Sequence, residues 1–141
     1  MRRVLLDTHL LLWALGDASR LPAAARRLID AAEVHVSASS IWEISIKAAI
    51  GKLTADPREV LAALEPAGFL VLPVTGEHAA RVAGLPAVHR DPFDRMLVAQ
   101  ALCEPMRLLT TDRVLAGYGE IVTVVGPVPP SGPCLGRVPL V

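Results

Sequence analysis

Four acidic residues fall where apolar runs end or helices begin: Asp7 in LLDTHLLLWAL, Glu43 in SSIWEISIKAAI, Asp94 in HRDPFDRMLVAQAL and Asp112 in LLTTDRVL. In a parallel α/β sheet such positions lie along one edge, where these folds build their sites. Carboxylates crowded together there either take up protons or bind a cation. Oxygen ligands select hard ions such as Mg²⁺ or Mn²⁺ over zinc. A cation held by acids, with coordination positions left open, suits phosphodiester hydrolysis, where it activates water and neutralises charge developing at phosphorus. The four acids therefore point to a metal-dependent enzyme.

Each acid also has a local explanation. Asp7 follows Val4-Leu5-Leu6 and precedes a helix, so it can serve as an N-cap. A carboxylate at the end of a buried strand is nevertheless costly to desolvate without a partner. Ser40-Ile41-Trp42-Glu43 matches a capping box, and Glu43 is spaced for an i,i+4 ion pair with Lys47. In Asp91-Pro92-Phe93-Asp94 the first residue reads as the cap and Pro92 as the first helical position. Asp94 shares a stripe with Leu97, Val98 and Ala101, which turns it toward the sheet; it is the site candidate and Asp91 the cap. Asp112, after Leu108-Leu109-Thr110-Thr111, repeats the strand-end position of Asp7, and either it or Thr111 can cap the turn that follows.

The elements that would position these acids alternate. Strands are expected at residues 3–7, 33–37, 69–73, 107–110 and 121–125. Helices are expected at 9–15, 21–32, 39–50, 57–64, 75–83 and 92–103, with a helical turn near Val114. This order argues for an α/β fold with a parallel sheet covered by helices on both faces. The candidate domain is residues 1–125. Residues 126–141, GPVPPSGPCLGRVPLV, are too rich in Pro and Gly for a packed element, and a loose tail is expected.

A chain of 141 residues, just over half of them hydrophobic, suffices for one substantial core. No apolar run reaches membrane-spanning length, and Asp7 and His9 interrupt the only signal-peptide-like stretch, so a cytoplasmic protein is expected. Zero formal net charge gives no global attraction to nucleic acid. Cys103 and Cys134 have no metal-ligand spacing, and Cys103 is expected in the core. The four histidines form no close pair of the zinc-binding kind. Neither GxxxxGK[ST] nor a GxGxxG after a strand is present, which disfavours nucleotide binding of those kinds.

The segments LLDTHLLLWAL, SASSIWEISIKAAIGKL, LPAVHRDPFDRMLVAQAL and LLTTDRVL, in this order, resemble a PIN-domain ribonuclease of the VapC toxin type, over about residues 1–125. The resemblance implies an α/β/α sandwich with a mostly parallel sheet. It places the family's metal-binding acids on Asp7, Glu43, Asp94 and Asp112, with Asp91 an added acid of this subgroup. It also implies an RNA substrate, a homodimer, a cognate antitoxin and contact with DNA only through that antitoxin. Asp7 and Asp94 are the expected direct ligands of Mg²⁺ or Mn²⁺. Glu43 and Asp112 are expected to bind directly, through water, or to assist proton transfer.

Thr8 or Thr111 can hydrogen-bond a carboxylate or the attacking water. Arg95 and Arg113, each beside a site acid, can neutralise substrate phosphates, or else serve as surface ion pairs. His89 can lie at the site mouth, and Trp42, among Ile41, Ile44 and Ile46, is expected in the core. Two other readings compete. One is a catalytically inactive PIN-like module that binds RNA or an antitoxin, which the presence of all four acids opposes. The other is an aspartate-nucleophile phosphatase, which normally needs a second Asp where this chain has His9.

Overall fold

The computed structural model describes residues 2–126; the expected tail lies outside them from residue 127 onward. The elements run β1 (Arg3–Leu6), α1 (Thr8–Gly16), α2 (Ala23–Ala31), β2 (Glu33–Ser37), α3 (Ala38–Ala49), α4 (Pro57–Leu64), β3 (Leu70–Leu72), α5 (Gly76–Val82), α6 (Pro92–Cys103), β4 (Arg107–Thr110) and β5 (Val122–Val124). Short 3-10 segments cover Ala18–Arg20 and Arg113–Tyr118. All four strand pairings are parallel, in the order β3-β2-β1-β4-β5. Successive strands step away from β1 on one side, and the chain then returns to β4 on the other. The crevice outside the carboxyl ends of β1 and β4 is therefore the topological switch point of the sheet.

Strand alternation splits the core in two. Val4, Leu6 and Leu109 pack with Leu10, Leu11 and Leu12 of α1, Ile44 of α3, and Val60 and Leu64 of α4. Leu5 and Leu108 face the other way, against Leu97, Val98 and Ala101 of α6 and Leu115. Helices thus cover both faces, as expected, and full burial of each leucine contributes about 1.5–3 kcal/mol. No helix among the described residues is long and apolar enough to cross a membrane.

Three local expectations are corrected. The α3 helix begins at Ala38 with Ser37 as its cap, so Ser39 and Ser40 lie inside it rather than opening it. Trp42 is 63% exposed, not in the core. Ile44 takes the inward position, while Trp42 and Ile46, one turn apart, stand on an outer stripe. There Trp42 meets the Phe93 ring edge-on at 5.2 Å, and both line an apolar groove with Val74 and Met96. Cys103, near the end of α6, is only half-buried.

Candidate metal centre and active site

The four acids converge at the carboxyl edge of the sheet. Asp7, Glu43, Asp94 and Asp112 line one cleft of about 420 Å³, together with Thr8, His89, Asp91, Thr111 and Arg113. Asp7 is the first residue beyond the central strand, and it caps α1: Oδ1 accepts the Leu10 N–H at 2.8 Å. Its Oδ2 accepts the Thr110 hydroxyl at 2.5 Å. The same side chain therefore caps a helix and lines the cleft, with one oxygen committed to each neighbour.

Glu43 does not form the capping box its sequence suggests. It is buried in α3, where Oε1 accepts the Thr8 hydroxyl at 2.6 Å and Oε2 pairs with Lys47 at 2.6 Å. Asp91 caps α6 as expected, accepting from the Phe93 and Asp94 N–H groups, and it also faces the cleft. Asp94, at the third position of that helix, is left directed at the other acids. Asp112 caps the 3-10 turn after β4 by accepting the Val114 N–H at 3.0 Å.

The electrostatics report the crowding. The Asp94 carboxyl is pushed up to about 8, chiefly by burial and then by the charges of Asp91, Asp7, Glu43 and Asp112. Burial also raises Asp7, against the opposing pull of His9, the Thr110 hydroxyl and the N–H groups of Leu10 and Thr111. The donor set fits a hard divalent ion, since carboxylate oxygens predominate and burial, together with like charge, opposes the ionisation of Asp94. Oxygens of Asp94 and Asp112 lie with a His89 nitrogen within 4.8 Å of one another.

Thr8 and Thr111 both line the cleft, Thr8 bound to Glu43. Thr110, which grips Asp7, had no signal of its own in the sequence. Arg113 lines the cleft, whereas Arg95 turns away from it. The Arg95 guanidinium donates to the carbonyls of Pro86, His89 and Val82 and to the Tyr118 hydroxyl. It therefore clamps the loop before α6 instead of facing phosphate. A close approach reinforces that clamp: a Cβ on Gly117 would lie 2.8 Å from Cγ1 of Val88, a stiff β-branched neighbour of His89. Gly117→Ala is expected to cost about 1–3 kcal/mol in urea unfolding by overpacking this contact; an unchanged unfolding midpoint would show that the loop yields freely.

Residues 4–121 match the family model described as PIN domain. The chain belongs to the PIN-domain family. This PIN domain is 34% identical over 123 residues to ribonuclease VapC22 of Mycobacterium tuberculosis, covering 84% of this chain and 93% of that relative. Its fold is similar to a toxin–antitoxin complex from Klebsiella pneumoniae, with a TM-score of 0.64 at 17% identity, covering 89% of this chain and 99% of that one. It is also similar to DNA-bound VapBC from Salmonella typhimurium, with a TM-score of 0.60 at 18% identity over 84% and 93% of the two chains. At such identities these structures speak to the fold, which is the α/β/α arrangement expected from the sequence.

Proposed function

We propose that this PIN domain is a metal-dependent ribonuclease, the toxin of a toxin–antitoxin pair. The observation that carries the reading is the meeting of Asp7, Glu43, Asp94 and Asp112 in one cleft at the sheet's switch point. The 34% identity to a ribonuclease supports it. Asp7 and Asp94 would hold Mg²⁺ or Mn²⁺ directly, and Glu43 and Asp112 directly or through water, with Asp91 a lesser contributor. Bound there, the ion supplies Lewis-acid polarisation of a phosphate oxygen and lowers the pKa of a water.

The chain's own groups do the rest. The Leu10 N–H and Thr110 hydroxyl fix both oxygens of Asp7, and Thr8 and Lys47 fix those of Glu43, so neither needs reordering when substrate arrives. Glu43 or Asp112 accepts the proton of the attacking water. Arg113, at the cleft wall, donates to a substrate phosphate. A cognate antitoxin would restrain the enzyme in the cytoplasm and carry any contact with DNA, and a homodimer is the expected assembly. The similarity to solved toxin–antitoxin complexes supports the antitoxin partner.

Purified protein is expected to cut a panel of structured RNAs with Mn²⁺ or Mg²⁺ and to stop in EDTA. Cutting that persists in EDTA would remove the metal from the mechanism. RNA retention without products, with metal present, would instead identify an inactive binding module.

A further inference from the structure

The segment His89-Arg90-Asp91-Pro92-Phe93-Asp94-Arg95 is built around its first residue. The His89 N–H donates to the Tyr118 hydroxyl at 3.0 Å, and the His89 carbonyl accepts from Arg95 at 3.4 Å. Arg95 also donates to that same Tyr118 oxygen at 3.1 Å, which closes the loop on itself. The ring is fixed as well. The Asp91 N–H donates to His89 Nδ1 at 3.0 Å, and an accepting Nδ1 leaves the ring proton on Nε2. Nε2 stands 3.1 Å from Asp112 Oδ2 and 3.6 Å from Asp94 Oδ2.

His89, Asp94 and Asp112 can be read as three ligands of one ion. The tautomer opposes that reading for the histidine, because a nitrogen carrying its proton has no lone pair to give. It is a donor aimed between two carboxylates. Asp112 needs one: its side chain is 40% exposed, and among the described residues its other oxygen is held by the Val114 N–H of the turn it caps. We propose that His89 is a positioning residue whose Nε2–H holds the Asp112 carboxylate turned toward Asp94, so that both acids face the same cation. This rests on the metal-site reading above and adds to it the group that organises the most exposed of the four acids. Partners of this kind, which orient metal ligands, typically change affinity by 10–100-fold when removed.

Two substitutions separate positioning from loop structure. His89→Asn keeps an acceptor near Nδ1 for the Asp91 N–H but does not reach Asp112. His89→Gln places an amide N–H near Nε2 but gives up the Nδ1 acceptor. Mn²⁺ binding to the full chain, read by loss of the free-ion EPR signal, is expected to weaken by about 10–100-fold in His89→Asn and to stay within about threefold of wild type in His89→Gln. RNA cleavage should follow the same order, and added Mn²⁺ should restore His89→Asn. The reverse order, with Asn tolerated and Gln defective, would reduce His89 to a loop anchor. Equal affinity in all three proteins would overturn the proposal while leaving the metal site intact. Wild-type protein that binds no Mn²⁺ would overturn both together.

Discussion

Asp94→Asn is expected to melt at a higher temperature than wild type in EDTA at pH 8–9, while RNA cleavage and stabilisation by Mn²⁺ are both lost. The reason is that the metal-free cleft is built at a cost. The Asp94 carboxyl sits at about 8 in the folded protein because burial and four neighbouring acids oppose its ionisation, whereas an unfolded chain releases the same proton near 3.9. Its contribution to stability is thus fully present below about pH 4 and declines as pH rises, until it is lost above about pH 8. Asparagine keeps the shape and cannot ionise, so the advantage of the variant should be small at pH 5 and widen toward pH 9.

Water in the cleft moderates the effect, and a gain on the order of 1–3 kcal/mol, or several degrees, is expected at the alkaline end. A bound ion needs the ionised carboxylate, so the Mn²⁺-induced rise in the wild-type melting temperature should itself grow from pH 6 to pH 8. Cleavage should fall by roughly 10³-fold, the equivalent of about 4 kcal/mol of lost transition-state stabilisation. Thermal melts at three pH values, with EDTA or Mn²⁺, read all of this. A variant that melts below wild type at pH 9 in EDTA would mean that the acids do not strain one another.

The sequence carried most of the fold because its elements are short, alternating and well punctuated. Apolar strand runs, Pro22, Pro57 and Pro92 near helix starts, and Gly51 and Gly68 after helices mark boundaries that tertiary contacts did not move far. The candidate acids were legible for the same reason, since strand ends and helix starts share one edge in a parallel sheet. What the sequence hid depends on distance or on angle. Glu43 had two local partners on paper, Ser40 through a capping box and Lys47, yet its second partner proves to be Thr8, 35 residues earlier.

Thr110 reaches Asp7 because the parallel register sets Leu6 beside Leu109, which makes the next residues of the two strands neighbours. No spacing within either strand could reveal that. The phosphate contact offered for Arg95, beside its alternative as a surface ion pair, rested on adjacency: consecutive helical residues point about 100° apart, and this guanidinium meets Pro86, His89, Val82 and Tyr118. Trp42 was misplaced because α3 is apolar on more than one face, and periodicity alone does not say which face the sheet takes.

Asp7 offers the cleanest separation of the two roles that sequence could not divide. Aspartate and asparagine cap helices about equally well. Asp7→Asn therefore retains an acceptor for the Leu10 N–H, while the charge at the head of β1 disappears. Cleavage is expected to fall by at least about 10³-fold, with the Mn²⁺-dependent rise in melting temperature much reduced. The metal-free melting temperature should hold or increase, because burial already disfavours the charged form of this carboxyl. Asp7→Ala is expected to be just as inactive but about 1–2 kcal/mol less stable than Asp7→Asn, because the Leu10 N–H and the Thr110 hydroxyl then both lose their acceptor. Urea unfolding in EDTA, paired with single-turnover RNA cleavage, resolves the four combinations of stability and activity. A folded Asp7→Asn protein that cuts RNA at the wild-type rate would make Asp7 a helix cap alone. The four acids would then no longer act as one set, since the cleft would work without the carboxylate that follows the sheet's central strand.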